Sequence, residues 1–92
     1  MKVTVSSYLA EYIGTFFFIL AIFASGGNPL VIGAALAVVI FLIASISGGH
    51  VNPAVSVAMF MDGSLRPAEV FGYVFAQLLG GVSAYYAYTA TK

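Results

Sequence analysis

Charged residues are scarce in this sequence: Asp, Glu, Lys and Arg make up 7% of its 92 residues, with three cations balancing three anions. A soluble domain uses roughly 25% charged residues. Because 62% of the residues are hydrophobic and the mean hydropathy is +1.08, the chain is predicted to be an integral membrane protein in contact with the lipid bilayer. The balanced charge argues against nucleic acid or an anionic substrate as a partner.

Cysteine is absent, which excludes disulfides and thiolate chemistry. The sequence also lacks a nucleophile–base pair, a phosphate-binding loop and a cluster of metal ligands. We therefore expect no catalytic residue, no metal and no cofactor, and a protein that is not an enzyme. At this length, residues 1–92 are predicted to form a single unit.

Three long apolar runs cover most of the chain, at about residues 8–25, 30–47 and 67–89. Each approaches the roughly 20 residues that a helix needs to cross about 30 Å of hydrocarbon. Pro67 suits the first position of a helix, since proline lacks the N–H that would be unpaired there. The pattern predicts three transmembrane helices.

A secretory signal peptide is an alternative interpretation of the first run. Lys2 precedes it, and "ASG" at residues 24–26 resembles a cleavage site. Against this, Glu11 lies where a signal peptide has an uninterrupted apolar core, so a membrane span is favoured.

The segment "SISGGHVNPAVSVAMFMDGS", residues 45–64, contrasts with these runs. Asn52 and Pro53 are suited to the cap and first position of a helix. A helix from Pro53 to Asp62 would be about 15 Å long, half of the hydrocarbon thickness. We therefore predict a re-entrant loop and half-helix at about residues 47–62, since irregular backbone at membrane depth must be buried in protein or line a cavity.

The tip of such a half-helix would carry unpaired backbone N–H groups and roughly +0.5 of an elementary charge. Cations and protons would be repelled there. The Asn52 amide could donate to a neutral oxygen while its own oxygen caps the helix. These properties indicate a pore for neutral solutes.

Small residues recur every fourth position on the third span, and Gly33 and Ala37 form a shorter pair on the second. Such rows let helix backbones approach closely in lipid, although Gly and Ala are also common in membrane helices generally. The predicted helix-packing residues are Gly72, Ala76, Gly80 and Ala84.

Three stretches carry a resemblance to the aquaporin (major intrinsic protein) family. "SGGHVNPAVS" resembles the family's first Asn-Pro-Ala loop, "AEYIGTFF" at residues 10–17 its first helix, and "GYVFAQLLGG" at residues 72–81 its third. The resemblance covers essentially the whole chain but only the N-terminal half of the family pattern. It implies half of an aquaporin-like fold: all-α, with three transmembrane helices and one re-entrant half-helix.

The resemblance also implies roles for particular residues. Asn52, Pro53 and Ala54 would form one of the family's two loop tips, and Glu11 would brace the loop by accepting its backbone hydrogen bonds, helped by His50 and Gln77. Two alternatives stay open: Glu11 could be a carboxylate near headgroup water, and Gln77 could merely join two helices. His50 is expected to brace the loop rather than bind metal, since no second ligand lies nearby in the sequence.

The sequence departs from the family pattern at the filter. Val55 follows the single Asn-Pro-Ala triplet, where the family's second loop has arginine, and Ile32, twenty residues before Asn52, occupies a position that is aromatic in water-selective members. A pore built from this chain would lack the arginine. The predicted pore-lining residues are Ile32, Gly48, Gly49, His50, Asn52, Pro53, Ala54 and Val55.

Three functions from different classes remain open. The favoured one is a half-size channel for water or small neutral solutes such as glycerol, in which an inverted copy of the chain, or another aquaporin-like half, completes the pore. The second is a non-conducting packing subunit or a fragment of a longer protein. The third is a small proton-coupled exporter with Glu11 as its carrier, a class expected to have four spans.

Overall fold

The computed structural model describes all 92 residues and contains four helices and no strand. The helices are α1 (Val5–Ala24), α2 (Pro29–Ser47), α3 (Pro53–Met61) and α4 (Pro67–Thr89). Helices α1, α2 and α4 are long and apolar enough to cross a membrane. Helix α3, with nine residues, is about 14 Å long and is too short to do so. The predicted fold class, three spans and one half-length helix, is confirmed.

Helix α1 begins three residues before the predicted start at residue 8. The polar residue Thr4 precedes its first turn: the Thr4 N–H donates to Ser7 Oγ at 3.0 Å, and the Ser7 N–H donates to the Thr4 carbonyl at 2.9 Å. The prediction followed the apolar run alone, whereas the helix extends into the polar residues that pair its first N–H groups.

Helix α1 lies at the centre of the packing, with α2 on one side and α4 on the other, and α3 packs against α4. The backbones of α1 and α4 meet at Gly80, where a Cβ atom would lie 2.5 Å from the Tyr12 carbonyl oxygen. Gly72 lies against the ring of Tyr8, and Ala76 and Ala84 are buried. The small residues of α4 therefore face α1.

Glycine on α2 has a different environment. A Cβ atom built on Gly33 would have no neighbour within 4 Å, and Ala37 is exposed. The Gly33–Ala37 pair is therefore exposed and forms no buried helix contact within the chain.

Candidate functional site

The loop between α2 and α3 has an unusual backbone. Gly48 and Gly49 have φ angles of +93° and +65°, and Val51 has a φ of +44°. Positive φ suits glycine but is an outlier for a β-branched residue, at a cost of about 1–3 kcal/mol. Val51 keeps this conformation because the surrounding contacts hold its backbone N–H in place.

Glu11 provides those contacts from α1, where its side chain is fully buried. Its Oε1 accepts from the Val51 N–H at 2.7 Å, and its Oε2 accepts from the His50 N–H at 3.0 Å. The Ser47 hydroxyl donates to Oε2 at 2.6 Å, and Gln77 Nε2 donates to Oε1 at 2.8 Å. Four donors thus converge on one carboxylate, and two of them are loop N–H groups that have no helical partner.

A second layer links the loop to α3 and α4. Gln77 Nε2 also donates to Ser56 Oγ at 2.8 Å, and Ser56 Oγ lies 2.8 Å from Nδ1 of His50. The Tyr73 hydroxyl donates to the Ser47 carbonyl, and the centroids of the Tyr73 and His50 rings are 5.0 Å apart. His50 is therefore held through both its backbone and its ring.

Four polar side chains in this cluster were not singled out in the sequence: Ser7, Ser47, Ser56 and Tyr73. All four are buried, and Ser7 extends the cluster by donating to the Ile46 carbonyl at 2.8 Å. Their common signal is a hydroxyl within an otherwise apolar helix. That signal is weak, because serine and tyrosine also occur in membrane helices without such a role.

Asn52 forms the tip of the half-helix. Its Oδ1 accepts from the Ala54 N–H at 2.8 Å, which caps α3, and Pro53 follows as the first helical residue. The side-chain amide nitrogen donates to no protein group, and the residue is exposed. The chain therefore presents two free N–H donors at the tip.

A groove of about 230 Å³ runs past this tip. One wall is apolar and comes from Phe18 of α1 with Leu36 and Ile40 of α2. The other wall is the loop and the start of α3. Its residues are Gly49, His50, Val51, Asn52 and Val55. The groove therefore has one apolar wall and one mixed wall, in which His50 and Asn52 supply the polar side chains.

The eight residues predicted to line a pore do not all meet in this groove. Gly49, His50, Asn52 and Val55 line it, whereas Pro53 lines an adjoining cavity of about 430 Å³ that Asn52 also borders.

Of the other three, Gly48 borders a third cavity, of about 300 Å³. Ala54 is exposed and borders none of the three cavities. Ile32 lies on α2, two helical turns before Ile40, and does not line the groove.

Two buried polar atoms near the adjoining cavity have no hydrogen-bond partner. Thr15 Oγ1 and Gln77 Oε1 are buried and make no hydrogen bond within the chain. Both residues border the cavity next to Asn52 and Pro53. Buried polar atoms are normally paired, so these two are exceptions in an otherwise hydrogen-bonded cluster.

The far end of α3 is exposed and polar. Asp62 follows the helix, and its Oδ1 accepts from the Ser64 hydroxyl at 2.6 Å and from the Ser64 N–H at 2.9 Å. These hydrogen bonds, the hydroxyl first, lower the pKa of the exposed Asp62 carboxyl. Helix α3 thus ends at a charged, exposed turn while its start lies beside buried Glu11.

Comparison with known proteins identifies the family. A sequence model of the major intrinsic protein family matches residues 2–91 of the chain. The chain belongs to this family. It is 36% identical over 85 residues to glycerol uptake facilitator protein-like 6 of Lactiplantibacillus plantarum, an alignment that covers 84% of this chain and 39% of the relative. It is 38% identical over 58 residues to aquaporin Z of Photorhabdus laumondii, covering 63% of this chain and 25% of the relative. No solved structure matches significantly.

Family membership confirms the resemblance and, with three apolar helices of spanning length, makes the chain an integral membrane protein. Members of the major intrinsic protein family are channels rather than enzymes, which supports a channel-like function. The chain spans less than half the length of either relative. It corresponds to half of an aquaporin-like fold.

Proposed function

We propose that this chain is a half-size channel subunit for passive permeation of water or small neutral solutes such as glycerol. A second copy in the opposite orientation would complete the pore. The observation that carries this proposal is the Asn52 tip: a half-length helix starts at a buried, braced loop and presents free amide donors beside a groove.

The tip favours neutral permeants for electrostatic reasons. The start of α3 carries a partial positive charge, which repels cations and protons. Asn52 supplies N–H donors that can replace one hydrogen bond lost by a dehydrating solute. Glu11 does not line the groove, and four donors hold its carboxylate against the loop, so a permeating ion would meet Asn52 rather than the carboxylate.

The two-sided groove suits solutes with both hydroxyl and hydrocarbon parts. Asn52 and the loop can exchange hydrogen bonds, whereas Phe18, Leu36 and Ile40 offer only apolar contact. Water fits the polar wall alone, and glycerol can use both walls. The printed names of the relatives, a glycerol uptake facilitator-like protein and an aquaporin, make both permeants reasonable candidates.

The groove is lined by α1, α2, the loop and α3 alone, so a partner would supply the remaining wall of a closed pore. The exposed Asn52 amide, which donates to no protein group, is the polar contact that such a partner would meet. An inverted copy is the simplest partner, because inverted repeats form pores and transport sites around an axis in the membrane plane.

The exporter alternative has less support. A proton carrier must release and rebind its proton during transport, and Glu11 could do so only by giving up hydrogen bonds that hold the loop. Each loop N–H left unpaired in a buried site costs about 1–3 kcal/mol.

Stopped-flow light scattering on vesicles containing the purified chain tests the proposal. Osmotic water flux and glycerol flux are compared with protein-free vesicles of the same lipid and size. We expect faster flux of at least one of the two solutes, without a cation leak. Equal fluxes with and without verified inserted protein would contradict the channel and favour a non-conducting packing subunit or a fragment.

A further inference from the structure

His50 is the single histidine of the chain, and its two ring nitrogens have different environments. Nδ1 lies 2.8 Å from Ser56 Oγ, whereas Nε2 makes no hydrogen bond within the chain. A neutral imidazole carries its hydrogen on only one nitrogen, and its hydrogen-bond partner determines which. The direction of the Ser56 bond can be worked out from the groups around it.

Gln77 fixes the first part of the chain of hydrogen bonds. Its Nε2 faces both Glu11 Oε1 and Ser56 Oγ, each at 2.8 Å. The opposite amide orientation would place the Gln77 oxygen against the Glu11 carboxylate, and two acceptors repel. The amide nitrogen therefore donates one hydrogen to Glu11 and the other to Ser56.

Ser56 then has one hydrogen of its own to donate. The side chain is fully buried, so water cannot accept that hydrogen. The hydroxyl has two hydrogen-bond partners, Gln77 and His50, and Gln77 is already a donor to it. The only acceptor left is Nδ1 of His50. We propose that Ser56 is a positioning residue that holds His50 in the tautomer with its hydrogen on Nε2.

The Nε2 edge of the ring lies beside Gly48, where a Cβ atom would be 3.1 Å from it. Gly48 and His50 border the cavity of about 300 Å³ together with Ser47 and Ser64. The tautomer would therefore present an N–H donor at the edge of that cavity, for the oxygen of water or of a hydroxyl. This use of the donor rests on the proposed function, whereas the tautomer itself does not.

Protonation of His50 would disrupt this arrangement. The added hydrogen on Nδ1 would face Ser56, whose own hydrogen would then have no acceptor. Two titratable groups face the ring from the packed helices, Glu11 of α1 and Tyr73 of α4; α2 and α3 present none. Without the Ser56 hydroxyl, protonation of the ring would leave no serine hydrogen without an acceptor, so it should become easier.

Nitrogen-15 NMR of the chain in lipid nanodiscs tests the tautomer directly, because one histidine gives one pair of ring signals. We expect the Nε2–H tautomer in the parent chain and its retention in Ser56→Thr, which keeps the hydroxyl. In Ser56→Ala we expect a mixture of tautomers and a protonation midpoint higher by about one pH unit, tenfold in the equilibrium. The Nδ1–H tautomer in the parent would overturn the proposal, even if Ser56→Ala fails to fold.

The flux assay provides a separate readout. Parent and Ser56→Thr should show the same pH profile, whereas the profile of Ser56→Ala should move with the new His50 midpoint. An unchanged tautomer and midpoint in folded Ser56→Ala would also overturn the proposal. If the parent conducts nothing, the proposed function fails while the NMR result still decides the role of Ser56.

Discussion

The loop cluster and helix α2 show opposite patterns of burial. Around the loop, the most deeply buried side chains are polar, including Glu11, Ser56 and Gln77, which are at most 2% exposed. On α2, large apolar side chains lie on the outside, with Leu30 and Phe41 each 84% exposed. A soluble protein shows the reverse pattern. In lipid, apolar burial does not distinguish one helix contact from another, so hydrogen bonds and close backbone contact provide the specificity.

Helix α1 joins the two regions, since it packs against both α2 and α4. Its face towards the loop and α4 contains the polar residues Glu11 and Thr15, whereas Gly14 lies against Ile43 and Val39 of α2. Helix α2, in contrast, buries only Val39 and Ser47. The contrast predicts that substitutions in the cluster and in the α1–α4 contact disrupt the protein, whereas comparable changes on α2 do not.

The largest effect is expected from Glu11→Ala. The His50 and Val51 N–H groups would lose their acceptor in a buried site, at about 1–3 kcal/mol each. Thermal unfolding in detergent should show a large loss of stability. Glu69→Gln is a milder control. Glu69 is buried and its Oε1 accepts from the Arg66 N–H at 2.9 Å, but glutamine keeps an acceptor and loses only the ion pair with the exposed Arg66 side chain, so we expect a loss below about 1 kcal/mol. If Glu11→Ala is as stable as the parent, Glu11 does not stabilise the loop.

A smaller effect is expected where α1 and α4 touch. Gly80→Ala would bring a Cβ to within 2.5 Å of the Tyr12 carbonyl oxygen, and such overpacking costs about 1–3 kcal/mol. Gly33→Ala on α2 meets no atom within 4 Å and should be neutral or slightly stabilising, since alanine favours helix by up to about 1 kcal/mol. Detergent unfolding of both variants measures the difference. Similar losses of stability in the two variants would contradict the proposed difference between α4 and α2.

The smallest effect on stability, with a clear effect on function, is expected from Asn52→Asp. Aspartate also caps helices well, so the fold should persist. A negative charge at the tip should admit cations and weaken neutral flux. Asn28→Asp is the control, because Asn28 caps α2 in the same way, accepting from Leu30 and Val31, but lies away from the tip. A cation leak in both variants, or in neither, would remove Asn52 from the selectivity barrier.

Much of the fold follows from local sequence signals. Pro29, Pro53 and Pro67 each mark the first position of a helix, and Asn28 and Asn52 are caps. Run length separates the spans from the half-helix. These features depend on neighbouring residues and are therefore readable along the chain.

The polar cluster is harder to predict, because it depends on residues far apart in sequence. Ser56 meets Gln77 across 21 positions and Ser47 meets Glu11 across 36. The resemblance to a family indicated Glu11, His50 and Gln77, but serine in a helix gives no comparable signal. The positive φ of Val51 could not be foreseen either, since a β-branched residue adopts it only when such contacts hold it in place.

The central claim, that copies in opposite orientations complete one pore, can be tested with a single cysteine. Lys2 precedes the first span and Arg66 the third, which places both on one side of the membrane, and Lys92 follows the third span on the other side. The two sides differ by one positive charge, so the charge bias that sets orientation is small. Because the chain has no cysteine, Thr91→Cys provides one unambiguous site for an impermeant thiol reagent and leaves Lys92, and so the charge bias, unchanged. In sealed cells or vesicles, labelled before and after permeabilisation, about half of the sites should react from each side. Labelling from one side only would contradict the self-complementing pore and require a different inverted partner.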